Sequence, residues 1–262
     1  MSVELEKAGF ERTQLISNIA NMSPVYCEED DKIKSAIKKF LDSGHRSIPV
    51  VSRKKDLAGI VTVADILDAF LRNENLDDKI SSIMTRDVIF CRSSDSLHAT
   101  LLKFKLSRRG RFPVISASKL VGIISEYDFI KNFASHNFGV AIDQIMTKKP
   151  FFLSPQTSVK TAIKSIVSTK YRRLPIMAKG EIIGVISALD LLKFLAISRF
   201  DPIYLRSPIS SLISNEPVTI EKKSDISEAI KKMKEKKIDF LSVVNSKFEG
   251  IVTERDILEE IV

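Results

Sequence analysis

The sequence predicts a mixed α/β (α+β) fold of four tandem β-α-β-β-α units, none large enough to bury a core alone. Three observations carry that reading: a short motif that recurs four times, an apolar strand ahead of each motif, and an amphipathic helix ahead of each strand. A chain of 262 residues has room for two to four small domains. With 44% hydrophobic and 28% charged residues it can build a shared core once the units pair.

The motif is Gly, two β-branched residues, Ser or Thr, two free positions and Asp. It first reads Gly59-Ile60-Val61-Thr62-Val63-Ala64-Asp65. It returns as Gly122-Ile123-Ile124-Ser125-Glu126-Tyr127-Asp128 and as Gly184-Val185-Ile186-Ser187-Ala188-Leu189-Asp190. The last copy is Gly250-Ile251-Val252-Thr253-Glu254-Arg255-Asp256. The hydroxyl residues lie 63, 62 and 66 positions apart, a period that marks a repeat architecture.

Ahead of each motif stands an apolar strand: Ile48 to Val51, Phe112 to Ile115, Leu174 to Met177, and Leu241 to Val244. A short polar loop, Ser52 to Asp56 in the first copy, joins it to the glycine strand, so the two are expected to form a hairpin. Helical spacing precedes the strand, with Ile33, Ala36, Ile37, Phe40 and Leu41 in copy one. Copy three gives Val159, Ala162, Ile163, Ile166 and Val167, and copy four Ile226, Ala229, Ile230 and Met233. Gly44 and Gly110 are placed to stop the first two of these helices. A second helix follows each Asp, and the copies fall at 13–73, 74–138, 139–200 and 205–262. Consecutive copies are expected to pack together, one with two and three with four.

The remaining composition narrows the function. The net charge of +8 invites a nucleic-acid reading, but the basic residues are spread along helix faces where solvation explains them. No apolar run nears the roughly eighteen residues of a membrane span, and the N-terminus has no apolar secretory core, which points to the cytoplasm. Cys27 and Cys91 are too few for a disulfide framework or a metal cage, and His45, His98 and His136 lack metal or catalytic spacing. There is no phosphate-binding G-x-x-x-x-G-K-[ST] loop, dinucleotide turn or nucleophile elbow, so no catalytic residue, metal or catalytic cofactor is expected.

The motif has a chemistry of its own. Its strand delivers a hydroxyl to a helix start, where free N–H groups attract anions. An ionised Asp accepts only, so it suits the two hydroxyls of a ribose while the hydroxyl side chain lies near phosphate. Ser/Thr-x-x-Asp is also a helix-capping arrangement, but capping boxes favour the longer Glu or Gln. Asp in all four copies shifts the reading toward a ligand.

These residues resemble the CBS (cystathionine-β-synthase) domain family, over nearly the whole chain from about Leu15 to Val262. The resemblance implies β-α-β-β-α units paired into two Bateman modules, assembled as a disk. Four-copy chains of this kind resemble the γ subunit of AMP-activated protein kinase and stand-alone archaeal proteins. The ligand implied is an adenine nucleotide, AMP, ADP or ATP. In the family a lead-in segment offers its backbone to adenine. Similar segments here are Ile83-Met84-Thr85, Ile145-Met146-Thr147 and Leu212-Ile213-Ser214, while copy one departs with Ile19-Ala20-Asn21-Met22.

Arg172 and Arg173 resemble the family's phosphate-contacting pair; copy two offers Arg111, near Arg108 and Arg109, and copy one Arg46. Copy four has Asp239-Phe240 there, and Ser242 in place of proline, with Arg255 inside its motif as a substitute. Copy three thus holds the full set: Ile145, Met146 and Thr147 for adenine, Arg172 and Arg173 for phosphate, Ser187 and Asp190 for the sugar end. The corresponding groups elsewhere are Thr62 with Asp65, Ser125 with Asp128, and Thr253 with Asp256. The implied function is a ligand-sensing regulatory module without catalysis, acting as a homodimer or on a regulated partner protein. The alternative is a nucleic-acid-binding or protein-interaction scaffold of the same fold.

Overall fold

The computed structural model of the chain describes residues 11, 14–134, 136–213 and 216–261. Copy one runs through strand β1 (Cys27–Glu28), helix α1 (Ile33–Ser43), strands β2 (Ser47–Val51) and β3 (Leu57–Thr62), and helix α2 (Val63–Leu71). Copy two follows with β4 (Cys91–Arg92), α3 (Leu97–Ser107), β5 (Arg111–Ser116), β6 (Lys119–Ser125) and α4 (Glu126–Ile130).

Copy three is led in by α5 (Ile142–Ile145), and its first strand is reduced to a parallel bridge from Leu153 to Ile176. It continues with α6 (Val159–Thr169), β7 (Arg173–Ala178), β8 (Glu181–Ser187) and α7 (Ala188–Ile197). Copy four comprises β9 (Thr219–Glu221), α8 (Ile226–Lys236), β10 (Phe240–Asn245), β11 (Lys247–Thr253) and α9 (Glu254–Ile261). In every copy the expected hairpin is antiparallel, and the first strand or bridge joins it in parallel.

The helical periodicity is realised residue by residue. Ile33, Ala36, Ile37 and Phe40 are buried, with Leu41 at the margin; so are Val159, Ala162, Ile163 and Ile166, and Ile226, Ala229, Ile230 and Met233. Each large side chain in such a stripe contributes about 2 kcal/mol on burial. Ser96, Ser158 and Asp225 cap the starts of α3, α6 and α8.

Gly44 ends α1 in the left-handed conformation as expected, at φ 68°. Gly110 does not play that part. In copy two Arg108 takes the left-handed position at φ 53°, as Lys170 and Lys237 do in copies three and four. A basic residue there is favoured by the negative end of the helix dipole, which offsets part of the backbone strain.

Two compact units result, and they join alternate copies. Of the described residues, one contains those within 25–88 and 151–217, the bodies of copies one and three; the other contains those within 14–24, 89–150 and 218–261, built on copies two and four. In the first, α2 packs on α6 and α7, and Phe40, Ile66, Leu67, Ile163, Leu191 and Leu195 share one core. In the second, α4 packs on α9, with Phe112, Phe129, Ile230, Leu241 and Ile257 in common. The helical packing therefore differs from the expected consecutive arrangement.

Consecutive copies are linked in another way, through their lead-in segments. Ile16, Ile80, Ile142 and Ile209 each open a tight turn and are fully buried. The residues just before them bridge to the first-helix cap of the consecutive copy: Leu15 to Ser96, Lys79 to Lys32, Ala141 to Asp225, Pro208 to Ser158. Copies one and two exchange lead-in segments, and so do copies three and four.

Cys27 and Cys91 occupy equivalent buried positions in β1 and β4, and burial pushes both thiols up to about 11. They are protonated and inert at neutral pH.

Candidate functional site

Each candidate site grows from the end of a glycine strand. Thr62, Ser125 and Ser187 finish β3, β6 and β8 with extended backbone and cap α2, α4 and α7; Thr253 ends β11 ahead of α9. One carboxylate oxygen of the following Asp accepts two bonds from this residue. Asp65 Oδ2 takes the Thr62 N–H (2.7 Å) and hydroxyl (2.8 Å), and Asp190 Oδ2 takes the Ser187 N–H (2.9 Å) and hydroxyl (2.6 Å). Asp128 with Ser125 and Asp256 with Thr253 repeat the pattern. In copies one, three and four the Asp N–H also donates back to the hydroxyl.

This corrects the expectation drawn from side-chain length. Asp does reach back to the cap amide, because its short chain starts in the first helical turn directly above it. The hydroxyl proton is spent on Asp and is not offered to a phosphate. The first helical amide is taken as well: Val63 N–H donates to Arg46 O (3.0 Å), Glu126 N–H to Gly110 O (3.2 Å), and Glu254 N–H to Asp239 O (3.3 Å). These helix starts are largely satisfied internally, so positive charge for an anion must come from side chains.

The strand register says which side chains. Arg111 lies directly opposite Ser125, and Arg173 directly opposite Ser187. Ser47 and Phe240 hold that place opposite Thr62 and Thr253. Arg46 is one residue earlier, equivalent to Arg172. Copies one, two and three therefore each present arginine beside the motif, and copy four does not.

The lead-in segments complete the sites. Thr85 and Ile60 exchange two backbone bonds of 2.9 Å; Asn21 and Ile123 do the same. Thr147 N–H donates to Ile251 O (2.9 Å) and Ile251 N–H to Thr147 O (3.0 Å). The motif glycines exist for this approach. A methyl group at Gly250 would stand 2.5 Å from the Thr147 carbonyl oxygen, and one at Gly122 would stand 3.0 Å from that of Asn21. Met84 lies against Gly59, and Ile213 against Gly184. Ser214 falls outside the described residues.

Every lead-in segment thus meets the motif of the consecutive copy. Thr147, with Ile145 and Met146, belongs with Thr253 and Asp256; Ile213 belongs with Ser187, Asp190 and Arg173. The expectation that copy three is self-sufficient is corrected accordingly, and copy one's Asn21 makes the same bonds as Thr85 despite its different sequence.

Three further details separate the sites. Lys131 Nζ sits 2.9 Å from Asp128 Oδ1, whereas Asp190 Oδ1 accepts no hydrogen bond among the described residues. Burial raises the Asp256 carboxyl above the usual carboxylate range, against the opposing bonds from Thr253. Arg255 is committed to Glu126, Nε to Oε1 at 3.0 Å, and Glu126 is only 1% exposed. Arg255 therefore balances a buried carboxylate instead of replacing the missing arginines. Sequence reasoning passed over Glu126; the signal was an acidic residue after the hydroxyl in copies two and four, against Val63 and Ala188 in the other two.

The model of the CBS domain family matches four stretches, 16–72, 80–135, 142–197 and 209–262. The chain belongs to the CBS domain family. Its CBS repeats are similar over 256 residues to protein MJ1225 of Methanocaldococcus jannaschii, at 23% identity, covering 87% of this chain and 91% of that protein. A 33.4 kDa protein from the ribosomal RNA operon of Thermofilum pendens is 26% identical over 243 residues, covering 81% of this chain and 79% of its own. The crystal structure of MJ1225 superposes with a TM-score of 0.89 at 21% identity, covering 95% of this chain and all of that one. A conserved protein from Pyrococcus horikoshii gives 0.63 at 20% identity, with 95% and 100% covered. Both likenesses establish the CBS fold. No described helix is long and apolar enough to cross a membrane.

Proposed function

We propose that this CBS protein is a regulatory module that binds an adenine nucleotide, AMP, ADP or ATP, and carries out no catalysis itself. The observation that carries the reading is the register of Arg173 against Ser187, beside an Asp190 oxygen left without a partner among the described residues. A guanidinium suits a phosphate, the carboxylate oxygen suits a ribose diol, and backbone at the glycine strand suits the base edge. MJ1225 has been put forward as an archaeal homologue of the γ subunit of AMP-activated protein kinase. That agrees with a sensing role through a regulated partner protein or a second copy of the chain.

Two of the arginine-bearing sites rank by geometry. Copy three, with Asp190 open and Arg173 opposite the hydroxyl, is the tightest; copy two binds only if Lys131 releases Asp128 Oδ1. Thermal melting tests the reading. A nucleotide at a hundredfold excess over its dissociation constant adds about 2.7 kcal/mol, which raises the midpoint by roughly 5–10 °C. If millimolar AMP, ADP and ATP all leave the melt unchanged, the protein is an interaction scaffold of the same fold.

A further inference from the structure

The first helix of copy two departs from its counterparts on the side turned away from the core. Helices α1, α3, α6 and α8 have the same length and bury the same four positions, so they compare residue by residue. Three of them carry lysine on the outer face, Lys38, Lys164 and Lys231, and a polar residue four places on, Asp42, Ser168 and Glu235. Helix α3 has Leu102 and Leu106 there, 41% and 83% exposed. Ala99, exposed one turn earlier, takes the place of Ser35, Thr161 and Glu228. Residues spaced i, i+3 and i+7 share one helix face, so the three make an apolar stripe about 10 Å long. Core packing does not account for it, since the same helix buries Leu97, Leu101 and Phe104 on its other side.

The charge beside the stripe says what complements it. Helix α3 ends at Arg108 and Arg109, both exposed and without an ion pair among the described residues. Lys103 is held by Asp95 at 2.7 Å, and Lys105 shares a groove with Glu259 of α9. The unmatched charge is thus positive and sits at one end of the stripe. A second copy of the chain fits poorly. Paired antiparallel, each arginine pair would meet the positive N-terminal end of the other α3, where Asp95 is already engaged; paired parallel, the arginines would meet each other. The chain's charge of +8 opposes self-association further. A helix with apolar residues at the same spacing and carboxylates at one end complements both features.

We propose that the α3 face of Ala99, Leu102 and Leu106 docks an acidic amphipathic helix of a partner protein. This rests on the regulatory reading given above and names the chemistry of the partner. The probe is a fluorescein-labelled helical peptide of about fifteen residues, with leucine at i, i+3 and i+7 and glutamate and alanine elsewhere. Its twin has lysine for glutamate. Fluorescence anisotropy with the intact protein should show saturable binding of the glutamate peptide, at least tenfold tighter than its twin and weaker in high salt. Leu102→Lys and Leu106→Asp install the residues of copy one. Both should melt like the parent, keep its nucleotide binding, and weaken the glutamate peptide at least tenfold. Leu102→Lys is the decisive variant, because unspecific attraction to a basic surface would grow with the added charge.

Equal or tighter binding of the glutamate peptide to Leu102→Lys would overturn the proposal, as would no binding to the parent. So would parent dimers in sedimentation velocity, or flotation of the parent with phosphatidylglycerol vesicles, that Leu106→Asp abolishes; a second copy or a lipid surface would then occupy the face. Melting midpoints well below the parent's in both variants would make the leucines structural and likewise sink the idea. If AMP binds and the glutamate peptide does not, this inference alone falls. If neither binds, the regulatory reading falls with it.

Discussion

Replacing Gly250 with alanine tests the close backbone approach of a lead-in segment to the glycine strand found in copies one, two and four. The new methyl group would stand 2.5 Å from the Thr147 carbonyl oxygen, 3.2 Å from its carbon and 3.3 Å from Lys148 Cα, all backbone atoms. A carbon–oxygen contact needs about 3.3 Å, so the lead-in segment must retreat by about 0.8 Å. That stretches both Thr147–Ile251 hydrogen bonds, now 2.9 and 3.0 Å, beyond useful length. Two lost bonds cost about 2 kcal/mol. Stiffening the unfolded chain returns about 0.4–1 kcal/mol, for a net loss of roughly 1–1.5 kcal/mol. Gly184→Ala is the internal control, because the three atoms nearest its methyl all belong to the Ile213 side chain, with Cγ2 at 2.6 Å. A shifted rotamer costs about 0.5–1.5 kcal/mol, much of it offset by the same entropy gain, so that variant should be near neutral. Urea midpoints, with slopes checked for constancy, read the difference. A Gly250→Ala protein as stable as Gly184→Ala would refute the close approach.

Three further expectations follow from the same geometry. Asp190→Ala should lower the stability of the empty protein by about 1 kcal/mol, because a cap is lost. It should also weaken AMP by roughly tenfold to a hundredfold. Calorimetry and melting separate the two effects, and parent-like AMP binding would reduce Asp190 to a cap. Arg255→Met removes one charge-assisted bond from the buried Glu126 and should cost about 1.5–3 kcal/mol, read by thermal melts of the parent and the variant. The Lys34 and Lys32 ammonium groups hold the Asp77 carboxyl down at about 2. Its folded value lies below its unfolded one, so its contribution to stability is present above about 4 and disappears as pH falls toward about 2. Carbon NMR titration should find that midpoint and see it rise in Lys34→Met.

Much of the fold was legible because it is local. The helix stripes of Ile33 to Phe40 and Ile226 to Met233, the hairpins and the motif period all follow from spacing within one copy, and each recurs in the structure. The exchange of lead-in segments was not legible, since it depends on pairings such as Thr147 with Ile251 that no local pattern encodes. A buried isoleucine before each copy was the one available hint. The segment Ile145 to Thr147, expected to serve copy three, is therefore bonded to copy four's glycine strand instead. The aspartates recur at the same motif position in every copy, but their reach back to the cap amide depends on helix geometry, not on side-chain length alone. Arg255 illustrates a third gap, because its partner Glu126 lies 129 positions away in the chain.

The central claim is that this CBS protein binds adenine nucleotide at its arginine-bearing motifs. Calorimetric titration of the parent and of Asp190→Ala with AMP, ADP and ATP tests it most directly. The account predicts saturable binding of at least one of the three to the parent, with the tightest site missing in Asp190→Ala. The absence of binding heat for all three nucleotides, or identical isotherms for the two proteins, would contradict it.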